Sequence, residues 1–298
     1  MKVAILAGGF GTRLAEETDL VPKPMVQIGE NPILWHIMSH YGHFGFQDFY
    51  IALGYRGDVI KKYFLNYYTI SSRNLRISLS DGAIDSHKSH EEEWVVNLID
   101  TGLNTGTGGR IKRLEPWLND GTFMATYGDG VCNVNLHKLL EFHKQHGKLA
   151  TMTVVHPPAR FGDPKLDGDL VVEFSEKPQI LDGWINGGFF VFEPQVFDYL
   201  DGDNASLERD ALEALAREGQ LAAYRHTDFW QCMDTLRDKR YLQRLWDANR
   251  APWKVWAQPQ PEPVTVPQRP AGEETVIGMN EPAPPTTPVV AQPVNTAA

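Results

Sequence analysis

Three glycines and two cations lie close together near the amino end. They occur in Leu6-Ala7-Gly8-Gly9-Phe10-Gly11-Thr12-Arg13-Leu14 and, ten residues after the arginine, in Lys23-Pro24-Met25. Glycines directly after a short apolar run let a backbone approach phosphate oxygens closely and present N–H groups to them. Arg13 and Lys23 add two positive charges, which suits a triphosphate whose charge shifts during reaction. The candidate phosphate-binding set is Leu6, Ala7, Gly8, Gly9, Gly11, Thr12, Arg13 and Lys23. The spacing is G-G-x-G with a cation two residues on. A dinucleotide-binding fingerprint needs G-x-G-x-x-G and a Walker loop needs G-x-x-x-x-G-K-[ST], and neither is present. Taken alone, the same residues also describe a glycine-rich surface turn.

Further chemistry-bearing residues are spread along the chain. Asp129 lies in Gly128-Asp129-Gly130 after a strand-like run, and Asp234 in Met233-Asp234-Thr235 before a helix-like one. A magnesium ion carrying a triphosphate takes one or two protein carboxylates and several waters. The two aspartates suit that role if one sheet edge brings them together, although an isolated aspartate also serves as a turn or helix cap. Glu176-Lys177 offers an ammonium for a sugar phosphate and a carboxylate for sugar hydroxyls, where a bare Glu-Lys pair is ordinarily just a solvated surface. Gly128, Gly162 and Asn186 fit as lining of the same pocket. Thr107-Gly108-Gly109-Arg110 combines a small-residue turn with a cation at a helix start.

These blocks resemble the signature of the sugar-phosphate nucleotidylyltransferases. L-A-G-G-F-G-T-R-L followed by P-K-P-M carries the resemblance. It extends through Pro32–Met38, Thr107–Arg110, Tyr127–Gly130, Arg160-Phe161-Gly162, Glu176-Lys177-Pro178, Asn186–Phe190 and Phe229–Thr235, so that it spans residues 1–256. Most members carry a proline soon after the Arg-Leu. Leu14-Ala15-Glu16-Glu17-Thr18 is instead similar to the branch that uses CTP and glucose 1-phosphate.

The resemblance implies in-line attack of the sugar phosphate on the α-phosphorus of CTP, giving CDP-glucose and pyrophosphate. It implies Mg²⁺ on Asp129 and Asp234, Arg13 on the leaving pyrophosphate and Lys23 beside the α-phosphate. Lys177 would hold the sugar phosphate, with Glu176, Gly162, Asn186 and Gly128 around it. Thr107, Gly109 and Arg110 would contact the nucleotide, and whether Arg110 faces the base or the phosphates stays open. A cytoplasmic homo-oligomer is implied, with a hexamer as a candidate stoichiometry, feeding deoxysugars of surface polysaccharide such as lipopolysaccharide O-antigen. A uridylyl- or thymidylyltransferase shares the same phosphate loop. A non-catalytic sugar-nucleotide sensor on the same fold should lack the metal ligands or the phosphate cations, and all of them are present here.

Composition agrees with a small-molecule enzyme. The chain has 298 residues, a formal charge of −10 and 42% apolar residues, enough for a sizeable core. Without a basic cluster, nucleic acid is not expected as a partner. No run approaches the ~20 apolar residues of a membrane span. The amino terminus has too short an apolar run for a secretory signal. Cys132 and Cys232 form no metal-binding spacing and read as inert thiols. His36, His40 and His43 fall near one helix face, but no carboxylate accompanies them and that helix must pack.

The elements that must position these residues alternate. Val3–Ala7, Asp48–Leu53, Trp94–Ile99, Phe123–Tyr127, Ala150–His156, Leu170–Phe174 and Gly188–Phe192 read as strands. Helices are expected from Asn31-Pro32, with Asn as cap and Pro as first helical residue, to Gly42 or Gly45. Others are expected over Val59–Tyr68, Leu136–His146, Ser206–Glu218 and Thr235–Asn249. The alternation predicts an α/β fold with a mostly parallel, mixed central sheet and helices on both faces, similar to a Rossmann fold. Ligands on such sheets sit at the carboxyl ends of strands, where the glycine clusters fall. Residues 257–298 hold ten of the twenty prolines and no aromatic residue, and are expected to be a disordered tail.

Overall fold

Val3, Ala4 and Ile5 are all fully buried, which a strand achieves only when both of its faces are covered. The structure, a computed structural model, describes residues 1–14, 21–67, 75–81, 84–86, 92–157, 163–175 and 183–257. Its core is a seven-stranded sheet built from β1 (Lys2–Leu6), β2 (Asp48–Leu53), β3 (Val95–Asp100), β4 (Phe123–Tyr127), β5 (Ala150–Val155), β6 (Ile185–Phe192) and β7 (Leu221–His226). The strand order is β7-β5-β6-β4-β1-β2-β3. β1 runs parallel to β2 and β4, β2 to β3, and β5 to β7. β6 alone is antiparallel to its neighbours β5 and β4. The sheet is therefore mostly parallel and mixed, as expected.

Side-chain alternation along β1 divides the core into two layers. Val3 and Ile5 join one apolar cluster and Ala4 the other. The first layer is closed by α1 (Ile33–His43), α2 (Gly57–Leu65) and, from the second half, α4 (Leu136–His146) and α5 (Leu236–Asp247), which contribute Leu34, Ile37, Ile60, Leu139 and Leu242. The opposite layer takes Ile111 from α3 (Thr107–Arg113), with Leu118, Leu207 and Leu215. Among the described residues, no helix is long and apolar enough to cross a membrane.

Three expectations need correction. Asn31 does not cap α1: Asn31–Pro32 pairs as a two-residue strand with Gln27–Ile28, and Ile33 N–H donates to the Val26 carbonyl at 3.0 Å. The helix thus begins one residue after the proline. Leu170–Ser175 is a strand, but it pairs with Asp163–Asp167 in a separate two-stranded ribbon rather than in the main sheet. The Ser206–Glu218 stretch has its serine cap, with Arg209 N–H on Ser206 Oγ at 3.2 Å, yet its first part, Leu207–Leu212, is a π-helix before α geometry resumes at Glu213–Arg217. The proline-rich tail lies outside the described residues from 258 onward.

The histidines of α1 are structural. His36 Nε2–H donates to the Ile28 carbonyl at 2.9 Å, while Nδ1 accepts from Trp253 Nε1 at 3.4 Å. Trp246 packs edge-on against the same ring at 4.7 Å. The tryptophans near the carboxyl end of the domain thus serve packing. Protonating Nδ1 would set two donors against each other. Burial pushes the His36 pKa down to about 4 and that of the fully buried His40 to about 3, from 6.5. An unfolded chain therefore binds more protons than the folded one between pH 6.5 and 4. Stability is complete above that window and is lost as pH falls through it, by on the order of 3 kcal/mol for His36 alone. Urea midpoints measured from pH 7 to pH 4 should fall steeply across this range; a flat profile would contradict the burial account.

Candidate active site

The strand order reverses at β1, whose neighbours β2 and β4 lead away in opposite directions. A crevice opens at such a point, beyond the carboxyl ends of the strands. Gly128 N–H, just after β4, donates to the Leu6 carbonyl at the end of β1 at 2.9 Å, which fixes the two loops side by side. Between them lies a cavity of about 420 Å³ lined by Leu6, Ala7, Gly8, Gly9, Gly11, Thr12, Lys23, Thr107, Arg110, Gly128 and Asp129. All the glycine-loop candidates except Arg13 therefore face one space. Arg13 belongs to a short 3-10 turn, Thr12–Leu14, and its side chain lies outside the described set.

Arg110 forms the floor of this loop. One of its terminal nitrogens donates to the carbonyls of Leu53 at 3.1 Å and Gly102 at 2.7 Å and to Thr101 Oγ1 at 2.8 Å. The other donates to the carbonyls of Gly8 at 3.0 Å and Leu103 at 3.1 Å. A Cβ on Gly8 would lie 2.2 Å from the guanidinium, so glycine is required there for close approach. Among the described residues no carboxylate forms an ion pair with Arg110. Burial and the nearby Arg113 hold its pKa below the ordinary arginine value. A buried cation held mainly by carbonyl dipoles, with Asp100 as a more distant counter-charge, favours an anion in the cavity beside it.

A second cavity, of about 350 Å³, adjoins the first and shares Tyr127 and Asp129 with it. Asn186, Gly187, Gly188, Glu208, Trp230, Cys232 and Asp234 complete its lining. Asp129 and Asp234 reach this junction through a short antiparallel ribbon, Gly130–Cys132 with Trp230–Cys232, in which Gly130 faces Cys232. Met233 N–H donates to the Asp129 carbonyl at 2.8 Å and extends the pairing. Asp234 then leads into α5, whose start is fixed by a reciprocal capping box of Thr235 and Asp238.

Lys23 connects the two carboxylates. Its Nζ is 2.6 Å from Asp129 Oδ2 and 2.6 Å from Asp234 Oδ1. The Lys23 residue is only 8% exposed, so both pairs are shielded from water. Burial pushes its pKa down, but Asp129 and Asp234 together outweigh this and hold it above the ordinary lysine value. Asp129 and Asp234, 105 positions apart in sequence, thus converge on a single cation. Two hard carboxylate oxygens with room for water and phosphate match what Mg²⁺ takes from a protein, so the residues fit that ion.

Several placements differ from expectation. Gly128, assigned to the sugar side, lines the first cavity instead. Gly109 is packed against another segment: its Cβ would lie 2.3 Å from the Asp203 carbonyl oxygen, and it lines neither cavity. Lys23 sits on the aspartates rather than apart from them. Asn186 lies in the second cavity, with its Oδ1 accepting from Gly188 N–H at 2.8 Å. Gly162, Glu176 and Lys177 lie outside the described residues.

Glu208 was not anticipated. Its carboxylate accepts from Tyr127 Oη at 2.5 Å, Thr107 Oγ1 at 2.7 Å and Ser206 Oγ at 2.8 Å. Burial raises its pKa, but these hydroxyl donors outweigh that and hold it below the usual glutamate range. Its only sequence signal was position: it follows a serine cap by two residues. Trp230 contributes to the second cavity and donates Nε1–H to the Gly187 carbonyl at 2.7 Å. Cys232 lines the same cavity, and burial pushes its thiol up to about 12, which keeps it neutral.

Known proteins resemble this chain in sequence and in fold. Residues 2–249 match the nucleotidyl transferase family. The glucose-1-phosphate cytidylyltransferase of Salmonella typhi is 48% identical over 257 residues, covering 86% of this chain and all of that protein. A mannose-1-phosphate guanyltransferase of Saccharomyces cerevisiae is 30% identical over 253 residues, covering 81% of this chain and 63% of that protein. The solved structure of HddC from Yersinia pseudotuberculosis has the same fold, with a TM-score of 0.59 at 23% identity over 82% of this chain and 99% of that one.

Proposed function

The chain belongs to the nucleotidyl transferase family, and we propose that it transfers a cytidylyl group from CTP to α-D-glucose 1-phosphate, releasing pyrophosphate and forming CDP-glucose. The observation that carries this reading is the pair of adjoining cavities that meet at Asp129, with Asp234 and Lys23 at the junction. The first takes the nucleotide and the second the sugar phosphate. A sugar-phosphate oxygen bonds to the α-phosphorus while the bond from that phosphorus to the bridging oxygen breaks, and the pyrophosphate keeps the electron pair. The nucleophile is already an anion, so no general base is required.

The chain's own task is positioning and charge stabilisation. The Gly8–Thr12 loop presents backbone to the phosphates, with Arg110 holding that loop from below. Arg13 would balance charge on the leaving pyrophosphate. Mg²⁺ held by Asp129 and Asp234 would neutralise phosphate charge in flight. Asn186 and Tyr127 would face the sugar, together with Glu176, Gly162 and Lys177. A homo-oligomer is part of the same proposal.

Pyrophosphate release by the purified chain, with Mg²⁺, glucose 1-phosphate and each of four nucleoside triphosphates, tests the reading. CTP should give the highest kcat/KM. Turnover with none would overturn the enzyme assignment, and preference for UTP or dTTP would overturn the base assignment.

Glu208→Gln probes the sugar side. Tyr127 bonds one carboxylate oxygen and Thr107 and Ser206 the other, and glutamine has a single side-chain oxygen, so at least one of the three hydroxyl donors loses its acceptor. A lost bond to a charged group costs about 1.5–3 kcal/mol. KM for glucose 1-phosphate should rise about tenfold or more, with a smaller change for CTP. Equal effects on both substrates would contradict placement of Glu208 on the sugar side.

A further inference from the structure

Asp129 and Asp234 already hold a cation: Lys23 Nζ lies 2.6 Å from an oxygen of each. A magnesium-sized ion coordinates such oxygens at about 2.0–2.1 Å. A divalent ion on these carboxylates would lie within a few ångströms of the ammonium, and like charges so close in a partly buried site repel. We propose that Lys23 is a displaceable counter-ion, which offsets part of the charge of the two aspartates while the nucleotide cavity is empty and passes to the phosphates when the metal and triphosphate arrive together. This rests on the reading above that the two aspartates receive a divalent ion.

The surroundings permit that exchange and little else. The Lys23 backbone is fixed in the 3-10 turn Lys23–Met25, between Pro22 and Pro24, with Val26 N–H on its carbonyl at 3.1 Å. Only the side chain is free to move, and a lysine presents a compact charge on a flexible stem. The residue also lines the nucleotide cavity with Gly8, Gly11 and Thr12, so phosphate oxygens bound there lie within its reach. A metal ion arriving alone meets two carboxylates whose charge is already half offset and must displace the ammonium without offering it a new partner. A metal arriving on a triphosphate brings both its own further oxygens and a new acceptor for the displaced ammonium. Metal and nucleotide should therefore bind with positive coupling, each raising affinity for the other.

The test is a titration of the full chain with Mn²⁺ in the absence of nucleotide, following free Mn²⁺ by electron paramagnetic resonance. Lys23→Met, confirmed as folded by circular dichroism, should bind one Mn²⁺ at least about tenfold more tightly than the unsubstituted chain, and Lys23→Arg should not. Equal or weaker binding by Lys23→Met would overturn the proposal.

Should Lys23→Met not fold, the unsubstituted chain labelled with ¹⁵Nζ-lysine supplies the second measurement. The Lys23 signal, assigned by its loss in Lys23→Arg, should shift with Mg²⁺ plus α,β-methylene-CTP but not with Mg²⁺ alone. A full shift with Mg²⁺ alone, or none with both, would overturn it. Turnover of CTP by the unsubstituted chain, with Mn²⁺ affinity unchanged in Lys23→Met, would remove this inference and leave the proposed reaction standing. Tightened Mn²⁺ binding without turnover on any triphosphate would do the reverse.

Discussion

Asp129→Asn is expected to lower kcat for pyrophosphate release roughly 10³-fold while changing the melting temperature little. Asparagine occupies the same space in the Gly-Asp-Gly turn but brings no negative charge to the junction of the two cavities. Asp234 still pairs with Lys23 at 2.6 Å, so the lysine is not left without a counter-charge, and the cost to stability is small. Asp234→Asn should behave in the same way. Because the two carboxylates serve one ion, the double variant should be little worse than either single one. Losses that multiply would show that the aspartates act separately. A large fall in melting temperature would show that their role is structural.

Arg110→Ala is expected to act in the opposite proportion, on stability first. The substitution removes five hydrogen bonds, made by two nitrogens, from a buried site. Two of the abandoned carbonyls keep other donors: Leu53 retains Thr101 N–H at 3.0 Å, and Gly8 retains Tyr55 N–H at 3.0 Å. The Gly102 and Leu103 carbonyls lose the guanidinium, and a void opens beneath the glycine loop. Together these should cost about 3–5 kcal/mol, or on the order of 10 °C in melting temperature for a domain of this size. Nucleotide affinity should fall as well, even where the variant remains folded, because the loop backbone loses its floor. Thermal melts and CTP titrations by calorimetry would check both. A stable variant with unchanged CTP binding would refute the role assigned to Arg110.

The sequence revealed the frame more fully than the site. β2 and β4 coincide with their expected bounds because each is a short, continuous apolar run, and a buried strand needs nothing more to be visible. α4 matches at both ends, since Asn135 accepts from Lys138 N–H at 3.0 Å and Gly147 adopts a left-handed φ of 63°. Asn31 carried the chemistry of a cap but was drawn into a strand pair, which local spacing cannot reveal.

Within the site, residues presented by backbone loops were legible, because glycines and aspartates after strands have few other uses in such numbers. Residues whose role depends on long-range partners were not. Glu208 looks like any glutamate in an amphipathic stretch until Tyr127 and Thr107 close on it from 81 and 101 positions away. Gly109 carried a strong motif signal for a different reason: it admits the Asp203 carbonyl, so the block reports packing as much as binding.

Anomalous diffraction from crystals of the chain grown with Mn²⁺ and α,β-methylene-CTP bears most directly on the junction. A single manganese peak held by both Asp129 and Asp234, beside the nucleotide phosphates and with Lys23 drawn off the carboxylates, is the predicted result. A nucleotide-bound manganese touching neither aspartate, while Lys23 keeps both contacts, would contradict it.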